Sequence, residues 1–260
     1  MHKPLEEMRP REAMQALKQC PMAYVPVSPA IEWHSYHLPL GTDAIISEEL
    51  CKEISALKGG IYTKALSLGL DAYRNTAEKE MWGLPANAEI YGMNFPHLPV
   101  ATEYCLQHEF KLLVTNRIKA LKASGARYIV LVNHHGGLGQ FDVLDTIAKQ
   151  QTNSAAKVLS YKTYMFNDLT RADGWSHEGG HAGYSETHWL MAFRPELVDT
   201  KELPDGELLV AQYGILHDKN VIEPEWNPKK TSITIAKKLR ERVLKNFSAE
   251  IDSLLSINQP

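Results

Sequence analysis

Residues 31–43 read Ile-Glu-Trp-His-Ser-Tyr-His-Leu-Pro-Leu-Gly-Thr-Asp, putting two imidazoles and two carboxylates around a Pro and a Gly. Glu32 and His34 are two apart, and side chains so spaced on an extended segment point to one side, so both can face one metal ion. Asp43 returns at the end of the stretch, where a carboxylate at the mouth of a helix can bridge two ions or simply cap the helix. A second cluster is Asn133-His-His-Gly-Gly-Leu-Gly139, in which His135 stands beside glycines that allow a ligand or metal to come close. A third is Asp173-Gly-Trp-Ser-His-Glu-Gly-Gly-His-Ala-Gly183, followed by Glu186.

Each cluster has a plainer reading. Asp43 can be an N-cap, His135 can close a tight strand-to-helix turn, and Glu186 can serve the positive end of its helix dipole. A phosphate loop fits poorly, because Gly-Gly-Leu-Gly is not GxGxxG and the Lys of a P-loop is missing. Convergence favours a metal. Imidazoles with several carboxylates and no thiolate suit one or two divalent ions, Zn, Mn or Fe, rather than Cu(I) or a structural zinc finger.

The elements that must position these residues follow from periodicity. Residues 22–27 and 127–132 are apolar runs of buried-strand type, and 157–161 is a third strand. Further strands are expected at 61–66 and, with less pattern behind it, at 208–216. Helical spacing marks 9–19, 43–57 up to the Gly59-Gly60 stop, 101–124, 141–151, 184–193 and 231–255. Residues 67–99 read as an irregular excursion, and 82–95 within it as a substrate lid or subunit contact. Strand, loop and helix alternate, which implies an α/β fold, a three-layer α/β/α sandwich with a largely parallel sheet, in one domain over 1–260. Ligands bind beyond the carboxyl ends of such strands, so the three loops should meet at one edge.

Bulk composition narrows the partners. The 260 residues are 44% hydrophobic and 23% charged with a net charge of −3, ordinary for a globular protein and without the basic stripe that nucleic acid requires. A small-molecule substrate is expected instead. The acidic N-terminal segment is unlike a signal peptide and no run of apolar residues is long enough to span a membrane, so a cytoplasmic protein is expected. Three widely spaced cysteines suit reduced thiols, with Cys51 and Cys105 on apolar helix faces.

The three clusters together resemble the creatininase (creatinine amidohydrolase) family, whose members carry E-x-H-G-x-H-L-P-x-G-T-D, N-G-H-G-G-N and H-A-G-x-x-E-T-S segments. They stand here as Glu32-Trp-His-Ser-Tyr-His-Leu-Pro-Leu-Gly-Thr-Asp43, Asn133-His-His-Gly-Gly-Leu138 and His181-Ala-Gly-Tyr-Ser-Glu-Thr-His188. The resemblance implies metal ligands at Glu32, His34, Asp43 and His135, with Asp43 bridging, and commonly a homo-oligomer, a hexamer in creatininase itself. Creatininase has a further ligand, a Glu, where this chain and many relatives have Gly, here Gly137, so the resemblance implies a second site that either recruits Glu186 or holds metal weakly. Ser35, His134, Leu138 and His188 also depart from the family pattern, and the usual P-G-T segment is replaced by Tyr91-Gly-Met-Asn-Phe-Pro96.

The resulting expectation is a metal-dependent hydrolase of a small cyclic or amide-type substrate, working through a metal-activated water. Glu186 and His181 would move protons, His37 and Asn133 would orient ligands, and Trp175, His177, Glu178 and Gly136 would meet substrate. Trp33, Ser35 and Tyr36 are expected to set this protein apart from its relatives. The alternatives are hydrolysis of a cyclic ketone such as a keto-inositol or of a lactone, a lyase or isomerase with the same ligands, and a non-catalytic domain that holds a sugar phosphate at helix N-termini.

Overall fold

A computed structural model of the chain describes residues 3–176 and 180–256. Its centre is a parallel sheet in the order β2-β1-β4-β5, formed by β1 (Met22–Ser28), β2 (Ile61–Tyr62), β4 (Tyr128–Asn133) and β5 (Lys157–Lys162). A further short strand, β3 (Leu66–Ser67), also pairs with β1, through Val27 and Ser28. β1 and β4 are in register from Met22 opposite Tyr128 to Pro26 opposite Val132.

Strand alternation divides the core into two faces. Met22, Tyr24, Val130 and Val132 enter one apolar cluster with α2 (Thr42–Lys58), α6 (Tyr184–Phe193) and α8 (Ile233–Ser256). Ala23, Val25, Val27, Ile129 and Leu131 enter another with α1 (Pro10–Gln19), α4 (Gln107–Ala123) and α5 (Gln140–Gln151). The buried stripes have helical spacing: Phe110, Val114, Ile118 and Leu121 on α4, and Leu239, Val243, Phe247 and Ile251 on α8. Each such side chain contributes roughly 1.5–3 kcal/mol by leaving water. The α/β/α sandwich expected from the sequence is the fold observed.

Three expected elements differ. The strand at 61–66 is two short pairings with a break between them, although Thr63 N–H still donates to Tyr24 O. The helix expected from 101 begins only at Gln107, because Glu103 N–H bonds Ile31 O and Cys105 N–H bonds Gly69 O, tying that segment to other loops. Cys105 therefore lies outside the helix. The strand at 208–216 is not formed; residues there make the single turn α7 (Val210–Tyr213), ended by Gly214 in the left-handed region. The excursion at 67–99 contains one capped helix, α3 (Thr76–Trp82).

The chain leaves β1 for β2 on one side and returns to β4 on the other. The carboxyl ends of β1 and β4 thus flank the switch point of the sheet, where a crevice opens.

Candidate metal centre

Six of the polar side chains singled out in the sequence converge on that crevice. Glu32 and His34 come from the loop after β1, Asp43 from the first turn of α2, and His135 from the turn after β4. His181 and Glu186 come from the loop after β5 and the first turn of α6. α2 is capped at Gly41 without a side-chain bond, so Asp43 is not the N-cap considered from the sequence; its carboxylate turns into the crevice instead.

The donor atoms fall into adjoining cages. His135 Nδ1 lies 3.0 Å from both Glu32 Oε2 and Asp43 Oδ2. On the other side of the same aspartate, His34 Nε2 is 3.6 Å from Asp43 Oδ1 and 3.5 Å from Glu186 Oε2. Asp43 presents one oxygen to each cage, the arrangement a bridging carboxylate needs. Glu32, His34 and His181 form a third grouping with ligand atoms in mutual reach.

Hydrogen bonds to backbone carbonyls fix which ring nitrogen each histidine offers. His34 Nδ1 donates to Glu32 O at 3.0 Å, leaving Nε2 toward Asp43 and Glu186. His135 Nε2 donates to Leu70 O at 2.9 Å, leaving Nδ1 toward Glu32 and Asp43. His181 Nε2 donates to Trp33 O at 2.5 Å, leaving Nδ1 at 3.9 Å from Glu186 Oε2. Such bonds set tautomer and ring orientation in metal-ligating histidines.

The electrostatics are those of a cation site. Burial alone would lower His34, but Glu186 and Asp43 outweigh it and raise the imidazole to about 10. His135 is likewise raised well above its ordinary value by Glu32 and Asp43 against the effect of burial. Burial would raise Asp43, yet its contacts with His135 and His34 hold it well below the usual carboxylate range. Glu186 is pushed up to about 8, first by burial and then by the Asp43 charge, with His34 opposing. His181 is pushed down to about 4 by burial and by the His34 charge. A divalent ion among these groups would balance the buried carboxylate charge and would have to displace protons from the imidazoles to do so.

The residues fit a metal on a second ground. His34 Nε2, Asp43 Oδ1 and Glu32 Oε2 are buried and make no hydrogen bond, a costly state unless a cation meets them. Surrounding groups hold them in place. Asn133 accepts from His135 N–H at 3.0 Å and donates to His135 O at 2.9 Å. Gln140 donates to Asn133 Oδ1 and accepts from Leu70 N–H. Tyr104, which the sequence reading missed, donates its hydroxyl to Glu32 Oε1 at 2.7 Å and accepts from Met93 N–H. Gly92 makes room for it, since a Cβ there would lie 2.3 Å from that hydroxyl. Tyr104→Phe is therefore expected to weaken metal binding by ~10- to 100-fold while leaving the fold intact, measured by titration of the stripped protein with zinc.

Gly137, where a further ligand was sought, cannot carry a side chain here. A Cβ would fall 2.1 Å from both His135 Nε2 and Leu70 O, across the hydrogen bond that orients His135. Glu186 instead stands with His34 and Asp43 in the second grouping of candidate ligand atoms.

Other expectations are redistributed. Gly136 lines the crevice, but Trp175 does not: its indole is buried in the core against His188. His177 and Glu178 lie outside the described residues. Trp33 is a core anchor whose Nε1 donates to Tyr213 O, Ser35 is buried at φ 61°, and Tyr36 is exposed; none of the three lines the crevice. The left-handed backbone at Ser35, where the family pattern that the sequence resembles has Gly, costs this chain about 1 kcal/mol. His37 reaches no ligand directly; it bonds Thr187 Oγ1 and so steadies the helix that carries Glu186. His188 joins α6 to the start of α8 by donating to Tyr184 O and accepting from Ser232 N–H.

The crevice is a cavity of about 500 Å³. One side is the cluster with His134, and the other is supplied by the excursion at 67–99 through Asp71, Arg74, Glu78, Trp82 and Met93. Trp189, Leu216 and Tyr164 close it with apolar surface. His134 Nε2 stands 3.7 Å from Glu186 Oε1, and its Nδ1 is 2.5 Å from Thr163 Oγ1.

The comparisons with known proteins agree. The family model described as creatinine amidohydrolase (Creatininase) matches residues 6–237. A creatininase structure with Mn shares 16% identity at a TM-score of 0.71, covering 97% of this chain and 98% of that one. A mutant creatininase of Zn-Zn type shares 17% identity at 0.71 over the same shares, 97% and 98%. A putative creatinine amidohydrolase from Bacteroides fragilis NCTC 9343 shares 18% identity at 0.60, covering 88% and 87%. At such identities the likeness is one of fold. No protein of curated function matches the chain, and among the described residues no helix is long and apolar enough to cross a membrane.

Proposed function

This chain belongs to the creatininase family, and we propose from that premise that it is a metal-dependent hydrolase of a C–N bond in a small cyclic or amide-type substrate. The observation that carries the proposal is the pair of cages sharing Asp43, with three buried ligand atoms that no hydrogen bond satisfies. Glu32, Asp43 and His135 would hold one ion, and His34, Asp43 and Glu186 a second. Relatives of Mn and Zn-Zn type support that choice of metals. Ions bound there would supply Lewis acidity toward the substrate carbonyl and lower the pKa of a coordinated water.

The chain's own residues do the rest. His181, neutral at pH 7 and fixed by its bond to Trp33 O, keeps Nδ1 free to take a proton and return it to the leaving nitrogen. His134 and Gly136 line the cavity where substrate would lie, and the apolar wall of Trp82, Met93 and Trp189 limits water. Glu186 Oε2 is aimed by Ala182 N–H at 2.5 Å, which requires Ala182 in the left-handed region at φ 53°. Strain of this kind, about 1–3 kcal/mol, is found where a site must be held in one geometry.

Two results test this reading. Metal-loaded protein should hydrolyse one member of a screen of cyclic amides, formamides, lactones and keto-inositols, with ¹⁸O from solvent appearing in the product and activity lost to a chelator. Turnover without solvent oxygen in the product would favour a lyase or isomerase instead. Glu186→Gln should keep one metal equivalent and lose the other; retention of both with a slowed turnover would make Glu186 the proton carrier.

Metal uptake should depend on pH in a defined direction. His34, raised to about 10, and Glu186, raised to about 8, must each lose a proton before they can ligate. Affinity for the second ion should therefore rise as pH increases through 8 and fall as pH decreases, with protons released on binding. Equal affinity at pH 6 and pH 9 would contradict the ligand assignment.

A further inference from the structure

The excursion at 67–99 brings one buried cation into the wall of the cavity, and nothing in the hydrolytic scheme above uses it. Arg74 is held on three sides. Its Nε donates to Gly92 O at 2.9 Å, its Nη2 donates to Asp71 Oδ2 at 2.9 Å, and its guanidinium lies 5.5 Å over the Trp82 ring. Asp71 is itself fixed, accepting from Ala72 N–H at 2.7 Å and from Leu138 N–H at 3.2 Å, which ties the excursion to the turn that carries His135. Glu78 is fixed through its other oxygen, Oε2, which accepts from Asn75 N–H in the capping box of α3.

These restraints leave two atoms. Arg74 Nη1 and Glu78 Oε1 face each other at 3.9 Å, beyond hydrogen-bond distance, and both residues line the cavity. A buried arginine with a free donor edge contributes little to stability, since the desolvation of a buried ion pair commonly cancels its attraction. It is well suited to recognition, because the planar guanidinium arrives with its orientation already set. The charge around it decides what it recognises. Asp71 and Glu78 supply two carboxylates against one guanidinium, so a carboxylate arriving at Nη1 would also meet Glu78.

We propose that Arg74 and Glu78 form a second anchoring point for the substrate, selecting an uncharged far end that both accepts and donates hydrogen bonds, as a carboxamide or hydroxyl does, and rejecting a carboxylate. The accepting atom meets Arg74 Nη1 and the donating atom meets Glu78 Oε1. This rests on the hydrolase reading, in which the reacting carbonyl lies at the metal-ligand cluster of the same cavity.

The test is calorimetric binding to zinc-loaded protein of three kinds of hydroxamate: acetohydroxamate, and chains of two to four methylenes that end either in a carboxamide or in a carboxylate. At the length that reaches Arg74, the carboxamide should bind ~10-fold or more tightly than the matching carboxylate, the worth of a hydrogen bond to a charged group. Glu78→Gln, a partly exposed position, should erase or reverse that preference, and Arg74→Met should weaken the carboxamide ligand by a larger factor than it weakens acetohydroxamate. Equal binding of the two chains at every length, or a preference that survives in Glu78→Gln, would overturn the inference. If acetohydroxamate binds normally in that case, the hydrolase reading stands and only the anchoring role fails. Absence of acetohydroxamate binding together with absence of zinc would remove the metal centre, and the anchoring role with it.

Discussion

Asp43→Asn should strip both ions at once and lower hydrolysis by about 10³-fold or more, several kcal/mol of lost transition-state stabilisation. The size follows from sharing: Asp43 Oδ2 faces His135 and Asp43 Oδ1 faces His34, so no other single ligand belongs to both cages in this way. The fold should survive, because α2 is capped at Gly41 and its first turn does not use the Asp43 side chain for capping. Metal analysis and far-ultraviolet circular dichroism on the same sample separate the two effects. A variant that unfolds while wild-type protein never held metal would return Asp43 to a purely structural role.

Gly137→Ala is the second large effect. The added Cβ would stand 2.1 Å from His135 Nε2 and from Leu70 O, so the turn after β4 must move or the bond between those atoms must break. Overpacking of this kind costs about 1–3 kcal/mol, and breaking the bond leaves a buried carbonyl without its donor. The melting temperature should fall by several degrees, and the affinity of the cage containing His135 should drop by ~10- to 100-fold as the ring loses its orientation. Gly136→Ala, one position earlier, meets only Tyr164 OH at 3.5 Å and should leave melting and metal binding near the wild type, although its methyl would enter the cavity. Similar behaviour of the two variants would mean that the glycine at 137 is not required by the orientation of His135.

Much of the scaffold was legible because it repeats one rule. Apolar runs at 22–27 and 127–132 became β1 and β4 nearly to the residue, since strands buried on both faces must be apolar throughout. Glu32, His34, Asp43, His135, His181 and Glu186 could be brought together on paper because all follow parallel strands, and parallel strands end at one edge. What the sequence hid lies where chain segments are shaped by distant partners. Tyr104 belongs to a segment whose helical spacing suggested α4, but bonds to Ile31 O and Gly69 O hold that segment extended, and only so does its hydroxyl reach Glu32. Residues 208–216 are a mostly apolar run with little periodicity, read as a strand, yet Val210–Tyr213 within it close into α7, with Gly214 packed against the Trp33 ring. Arg74 and Trp82 had no periodic signal at all; their place is set by Asp71, Gly92 and the cap at Asn75. Trp175 was misplaced for a different reason: a tryptophan beside glycines in a chemically rich loop reads as a substrate contact, whereas its apolar surface is used in the core.

The central claim is that two ions share Asp43, one with Glu32 and His135 and the other with His34 and Glu186. Calorimetric titration of chelator-stripped protein with zinc at pH 8 tests it most directly. Two equivalents per chain are predicted for the wild type, one for Glu186→Gln, and none for Asp43→Asn. A wild type that takes up no zinc, or an Asp43→Asn variant that still binds two equivalents, would contradict the account.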